Sequence, residues 1–305
     1  MAALMNRLLG PLMEEMRARL RRAAARASYG PQLPVGLGLA LGGGFARGFA
    51  HVGALEVLEE NEIPVTCVAG TSVGSILGAA YASGVGPRRI GEVCRQIRFK
   101  DFARWRISKM GLASNDRMAE VMRRWFGTLR FEDMKIPLAV VATDLGTGEP
   151  AIFHSGSIVD PIRASCAFPG LFEPVTIEGR CYADGGLVAP LPTRAAASLG
   201  ARRVLAIDVG FSNWQGAHPT NLFQVVCRSI NAAQKHRNSS WERFADLTIA
   251  PAVQDLQWDS FERADEAIAA GRNAMERALP RVRELLGISA QAPRARQGGL
   301  QPDAA

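Results

Sequence analysis

One stretch of the sequence is suited to nucleophilic chemistry: Gly70-Thr71-Ser72-Val73-Gly74. An apolar run (64–69) precedes it and a small-residue run (75–82) follows. A Gly-x-Ser-x-Gly pentapeptide between a strand and a helix reads as a nucleophile elbow. Gly70 and Gly74 are expected to let the backbone turn sharply and lift the Ser72 hydroxyl above the sheet edge. The start of the next helix offers N–H groups and partial positive charge, which favour an oxyanion nearby. In a chain with 31 glycines the same pentapeptide also fits an ordinary turn, so the choice falls to the rest of the chain.

A serine nucleophile needs a base and an oxyanion hole. Four histidines are available: His51, His154, His218 and His236. In the order Ser, acid, His, the late loop residue His218 is the best histidine base, though a loop histidine is more often simply solvated. His51 falls one helical turn after a glycine loop and is placed to brace it. The alternative is a carboxylate that takes the serine proton directly, which requires hydrogen-bond reach. Asp184, in Tyr182-Ala183-Asp184-Gly185-Gly186-Leu187, is that candidate, although Asp-Gly-Gly is also a turn signal in its own right.

The glycine loop is Gly42-Gly43-Gly44-Phe45-Ala46-Arg47-Gly48. It lacks the Gly-Lys-Ser/Thr ending of a phosphate-binding loop. Phe45, and the absence of an acidic residue ending the next strand, make it a poor dinucleotide fingerprint. Two readings remain. One is a tight loop and nothing more; the other is an oxyanion hole from the N–H groups of Gly43, Gly44 and Phe45.

The elements that must position these groups follow from the apolar pattern. Residues 35–41 read as a buried strand, 49–60 as an amphipathic helix and 64–69 as the strand before Ser72. Strand, glycine loop, helix, strand is a βαβ unit, which puts both loops at the carboxyl ends of neighbouring parallel strands. Further strands are expected at 136–143, 151–154, 204–209 and 247–250, with helices over 87–98, 114–126 and most of 211–287. Residues 99–105, Phe-Lys-Asp-Phe-Ala-Arg-Trp, are aromatic and basic. They fit a lid or lipid-facing patch and equally a buried flap.

Residues 1–34 form a separate unit, a basic amphipathic helix and linker. Leu12, Met13, Met16 and Leu20 make an apolar stripe opposite an arginine-rich face, as in an interfacial membrane helix or a helix packed on the domain or a partner. The organisation is then 1–34, a catalytic core at 35–210, a mostly helical part at 211–288 packed on the core, and a disordered tail at 289–305. The net charge of +7 comes largely from the first segment, which argues against a nucleic-acid footprint. Five cysteines without framework spacing point to a reducing, cytoplasmic setting, peripheral to a membrane if the first helix binds one. No metal-ligand spacing is present and no cofactor is expected.

Four ordered blocks resemble the bacterial patatin-like phospholipase family: residues 41–55, 69–74, 163–170 and 184–187. The resemblance spans about residues 35 to 210. It implies an α/β class, a three-layer α/β/α fold with a mostly parallel central sheet. It implies acyl-ester hydrolysis of lipids by a Ser–Asp dyad, with Ser72 as nucleophile and Asp184 as base. The glycine loop would then form the oxyanion hole, with Arg47 nearby. One departure stands out: aligned on Gly48, Phe45 replaces a glycine, and if that position requires φ > 0 its backbone is strained. The competing reading is a silent lipid-binding or regulatory module on the same fold, against which the intact Ser72, Asp184 and loop weigh.

Overall fold

The computed structural model describes residues 34–126, 129–210, 218–236 and 242–288. The N-terminal helix and the C-terminal tail expected from the sequence lie outside these residues, except for position 34. In chain order the elements are β1 (Leu37–Leu41), α1 (Ala50–Glu60), β2 (Val65–Thr71), α2 (Val73–Ala82), α3 (Pro87–Gln96) and a one-turn α4 (Phe99–Phe102). A small ladder, β3 (Arg104–Trp105) and β4 (Ala113–Ser114), leads to α5 (Met118–Phe126). Then come β5 (Leu138–Asp144), β6 (Pro150–Phe153), α6 (Val159–Ser165), β7 (Val175–Ile177) and β8 (Arg180–Asp184). The described residues end with α7 (Thr193–Ser198), β9 (Arg203–Ile207), α8 (Leu222–His236), β10 (Leu247–Ile249) and α9 (Ala264–Leu286).

The main sheet runs β10-β9-β1-β2-β5-β8-β7, with β6 also on β5. β10, β9, β1, β2 and β5 are mutually parallel, whereas β6, β7 and β8 join antiparallel. Strand alternation sorts side chains to two faces by size. Leu37, Leu39, Leu41, Val68, Leu138, Val140, Leu205 and Ile207 enter one core under the larger helices. Ala40, Ala69, Ala139, Val141, Val204 and Ala206 face the other way, against Ala195 and Ala196 of the short helix α7. Small side chains on that face let a one-and-a-half-turn helix sit close to the strands. Helices on both faces of a mostly parallel sheet make the three-layer α/β/α fold.

The expected βαβ unit is present, with β1 and β2 parallel and adjacent. The segment beyond residue 210 supplies the edge strand β10 and the long helix α9. α9 packs on α1 with backbone contact: a Cβ on Gly271 would lie 1.8 Å from the Ala50 carbonyl oxygen, and one on Gly53 would lie 1.9 Å from that of Ile268. Arg272 then bonds Glu56 and Glu60 of α1 at 2.8 Å each. Among the described residues no helix is long and apolar enough to cross a membrane.

The register around β5 decides the site. β6 pairs with Val140–Thr143, on one edge of β5. On the opposite edge β2 pairs up to Thr71↔Val141. β8, running the other way, takes over on that edge at Asp184↔Ala142. β2 and β8 therefore meet end to end along one edge of β5. Ser72 follows the last residue of β2, and Asp184 is the last residue of β8.

Candidate active site

Ser72 adopts φ 53°, ψ −127°, between β2 and α2. A positive φ in a non-glycine residue stores strain of order 1–3 kcal/mol, and this backbone form is the one that exposes a nucleophile at a strand-to-helix turn. The flanking glycines work differently from the sequence expectation. Neither has positive φ. Instead they allow close approach: a Cβ on Gly70 would lie 2.4 Å from the Gly74 oxygen, and one on Gly74 would lie 2.2 Å from that of Leu41. The sharp turn resides in Ser72 itself, and the glycines clear space for it.

Ser72 Oγ donates to Asp184 Oδ2 at 2.7 Å. The other carboxylate oxygen, Oδ1, accepts the Gly186 N–H at 2.7 Å, which fixes the plane of the carboxyl group. Asp184 also has its backbone held on both sides: its N–H donates to the Ala167 oxygen at 2.9 Å, and its carbonyl accepts Thr143 Oγ1 at 2.8 Å. Gly185 is needed because a Cβ there would lie 2.2 Å from the Val141 oxygen. Burial pushes the Asp184 carboxyl up to about 7, against the lowering effect of the bonds from Ser72 and Gly186. Desolvation of the charged form outweighs two hydrogen bonds here.

Ser165, at the end of α6, ties the elbow to the neighbouring strand. Its Oγ donates to the Val141 oxygen at 2.6 Å and accepts the Ser72 N–H at 2.8 Å. It fills the gap where β2 stops and before β8 begins, tying the elbow to β5. Its only sequence signal is membership of the 163–170 block.

The glycine loop lies against the elbow through missing side chains. A Cβ on Gly43 would sit 3.2 Å from Ser72 Cβ, and one on Gly48 would sit 2.3 Å from Val73 Cγ1. The Gly43 N–H donates weakly to the Pro190 oxygen at 3.3 Å. The Gly44 N–H has no acceptor among the described residues. A Cβ on Gly44 would meet the Val209 oxygen at 2.5 Å, so only glycine brings this N–H into place. His51 braces the loop as expected: its Nε2 lies 2.9 Å from the Gly42 oxygen. Burial lowers the imidazole to about 4, so His51 is neutral and Nε2 carries the proton given to Gly42.

Phe45 has φ 52°, the left-handed conformation that a glycine would hold without strain. Its ring makes edge-to-face contacts with Phe168 at 5.4 Å and Trp258 at 5.5 Å between centroids. Such pairs offset part of the backbone strain. The ring borders two hollows that share Ser72. One is apolar, with Val73, Ile76, Phe102, Met118 and Met122 in its wall. The other is more polar, with Gly43, Gly44, Asp184, Gly186 and Gln234.

Arg47 does not face the oxyanion position. It is 1% exposed and turns inward, donating to the carbonyl oxygens of Leu256 (2.8 Å), Gln254 (3.2 Å) and Gly210 (3.4 Å). A buried guanidinium needs acceptors for its N–H groups, and this segment supplies them. Burial lowers it to about 10, so it stays charged and pins the loop to the 254–256 segment. His218 is exposed, and among the described residues no histidine hydrogen-bonds to Ser72 or Asp184. The structure brings together Ser72, Asp184 and the glycine loop, and no hydrogen bond among the described residues joins His218 to them.

A serine on a strained strand-to-helix elbow, bonded to a buried carboxylate at the carboxyl ends of a mostly parallel sheet, places the molecule among α/β proteins with serine-centred sites. Residues 39–197 match the family model described as Patatin-like phospholipase, and the chain belongs to that family. An uncharacterized NTE family protein of Mycobacterium bovis is 32% identical over 189 residues, 57% of this chain and 49% of the relative. Lysophospholipase nte1 of Aspergillus fumigatus is 34% identical over 232 residues, 72% of this chain and 14% of that protein. The chain thus spans about half the length of the mycobacterial relative and a small part of the fungal one. VipD from Legionella pneumophila superposes with a TM-score of 0.57 at 13% identity, over 81% of this chain and 67% of that one; this likeness is one of fold.

Proposed function

We propose that this chain is a serine lipid acyl hydrolase that cleaves carboxylic esters of phospholipids or related lipids through a Ser72–Asp184 dyad. The observation that carries the reading is the 2.7 Å bond from Ser72 Oγ to Asp184 Oδ2, on an elbow that opens onto an apolar hollow. The relatives' names, among them a lysophospholipase, agree with a lipid ester as substrate.

In the first step Asp184 takes the proton of Ser72 as Oγ attacks the ester carbonyl. The Gly44 N–H, which has no acceptor among the described residues, stabilises the tetrahedral oxyanion; one such donor is worth on the order of a hundredfold in rate. The carbon–oxygen bond to the leaving alcohol breaks, and protonated Asp184 returns the proton to it. Water then gives a proton to Asp184 and attacks the acyl-serine carbonyl; the bond to Ser72 Oγ breaks, protonated Asp184 returns the proton to that oxygen, and the fatty acid leaves. A carboxyl group near 7 suits this exchange, because it can both accept and return a proton at neutral pH. The apolar hollow takes the acyl chain, and Phe45 separates it from the polar side. Contact with a membrane through the helix expected from the N-terminal sequence concerns residues outside those described.

A fluorophosphonate probe is expected to label the wild-type protein at Ser72, and neither Ser72→Ala nor Asp184→Asn above a hundredth of its rate. Ester hydrolysis measured across phospholipid, lysophospholipid, neutral glyceride and short-chain esters should fall in step. Full activity in either variant would sink the dyad, and loss of activity in His218→Ala would restore a histidine base. An unlabelled wild-type Ser72 would favour a silent lipid-binding module.

A further inference from the structure

Residues 104–114 form a hairpin whose root is buried and whose tip stands clear of the domain. Ala103 and Ala113 are buried, and the Leu112 and Ala113 N–H groups both donate to the Leu171 oxygen, at 3.1 and 2.8 Å. Gly111 fits tightly there, since a Cβ would lie 2.7 Å from the Glu173 nitrogen. The tip closes on itself. Arg106 N–H donates to Leu112 at 3.0 Å, Ser108 N–H to Gly111 at 2.9 Å, and Met110 N–H to Ser108 Oγ at 3.0 Å.

This braced tip carries Trp105, Ile107, Met110 and Leu112, exposed by 67%, 86%, 61% and 44%. No other short segment of the described chain exposes so many large apolar side chains. Beside and between them stand Arg104, Arg106 and Lys109, all exposed, and none of the three makes an ion pair among the described residues. The nearby Asp101 carboxylate is occupied by the Arg98 N–H at 2.7 Å. A protein partner or a second copy would need matching carboxylates around an apolar socket. Aromatic and aliphatic side chains interleaved with exposed cations match a different surface, the headgroup layer of an anionic bilayer with acyl chains beneath.

We infer that the 104–114 hairpin is an interfacial anchor that inserts Trp105, Ile107 and Met110 into an anionic lipid surface. The Trp105 ring packs on Phe99 (5.7 Å between centroids), and Phe99 packs on Phe102 and Phe172. Phe102 and Phe172 line the apolar hollow at Ser72. The anchor is thereby joined by three aromatic contacts to the wall of that hollow, so a seated hairpin brings the hollow to the lipid. Binding does not require turnover and is separable from the hydrolase reading.

The test uses full-length protein on a Ser72→Ala background with extruded vesicles, of phosphatidylcholine alone or equimolar with phosphatidylglycerol. Tight sedimentation with the anionic vesicles is expected, weaker with phosphatidylcholine and weaker still in high salt. Trp105→Ser, Ile107→Ser and Met110→Ser together should lower the anionic partition coefficient at least tenfold. Arg104→Gln, Arg106→Gln and Lys109→Gln together should remove most of the preference for anionic lipid. With Ser72 restored, both sets should keep wild-type rates on a monomeric water-soluble ester. An environment-sensitive dye on Ile107→Cys should shift to the blue on anionic vesicles, against labelled wild type as blank. An unshifted dye overturns the anchor even if the N-terminal segment holds the protein on the vesicle. So does wild-type protein that ignores vesicles but loses a dimer on sedimentation when the apolar tip residues are replaced.

Discussion

At the scale of single residues, the site depends on one carboxyl group held away from water. Asp184 has two strong donors and would ordinarily ionise easily, yet burial wins and brings it to about 7. The proposed base works only when deprotonated, so its fraction in the active form rises as pH climbs through 7. The pH profile of kcat/KM on a soluble ester should rise about tenfold per pH unit below 7 and level off above it, with one proton involved. His51, neutral above about 4, adds no second limb in that range. A flat profile between pH 5.5 and 8 would remove Asp184 from the proton transfer. The two strained non-glycine positions beside it, Ser72 and Phe45, differ in kind. Ser72 needs its conformation to present the hydroxyl. Phe45 holds a conformation suited to glycine and in return gives a ring that bounds the apolar hollow.

At the scale of elements, close approach of backbones does more than propensity. Gly271 lies inside α9, where alanine is ordinarily the better helix former by about 1 kcal/mol. Here a Cβ would lie 1.8 Å from the Ala50 oxygen, and forcing α1 and α9 apart costs about 3 kcal/mol. The clash is the larger effect. Gly271→Ala should lower Tm by several degrees, measured by calorimetry, while an exposed alanine-compatible site such as Gly86, with open space around it, should tolerate the same change. A Gly271→Ala protein as stable as wild type would show that the two helices are not in backbone contact.

The elements also show what could be read from the chain beforehand. Ser72 and its strand-to-helix setting were legible because the apolar run, the glycines and the small-residue helix are all local. So were the glycine loop and the parallel pairing of β1 with β2, since a βαβ unit has few alternatives. The role of Arg47 was not legible, because its acceptors at Gly210, Gln254 and Leu256 are more than 160 residues away in sequence. Nor was the task of Ser165: a lone serine at the end of a helix carries no sign that it will bridge Ser72 and Val141. The hairpin that presents Asp184 turns at Glu178 and Gly179, both with positive φ, and Glu-Gly is a weaker turn signal than Asn-Gly or Asp-Gly. The glycines of the pentapeptide were legible as necessary but not for the right reason, because proximity to the Leu41 oxygen depends on the neighbouring strand.

At the scale of the whole molecule, the site is a cost to the fold. A buried aspartate titrating near 7 binds its proton more tightly folded than unfolded. Its burial costs nothing at pH well below 4, and the penalty grows with pH until it levels off above 7, at a few kcal/mol at most. Asp184→Asn removes that penalty while keeping the shape of the side chain. The variant should lose turnover and gain thermal stability, and the gain should be larger at pH 8 than at pH 5. Scanning calorimetry at the two values checks it; a gain independent of pH would mean that Asp184 is already ionised without penalty.

The end-to-end meeting of β2 and β8 along β5 has a metrological consequence. Because Thr71 and Asp184 pair with consecutive residues of one strand, β5 acts as a ruler graduated in residue spacings of about 3.4 Å. Sliding β8 by one graduation would turn Asp184 to the opposite face of the sheet; sliding it by two would carry the carboxylate roughly 7 Å away. No setting lies between these. The coarse distance between Ser72 and Asp184 is therefore digital, fixed by strand pairing. Only the last fraction of an ångström is analogue, left to the Gly186 N–H that grips one carboxylate oxygen while the other faces Ser72.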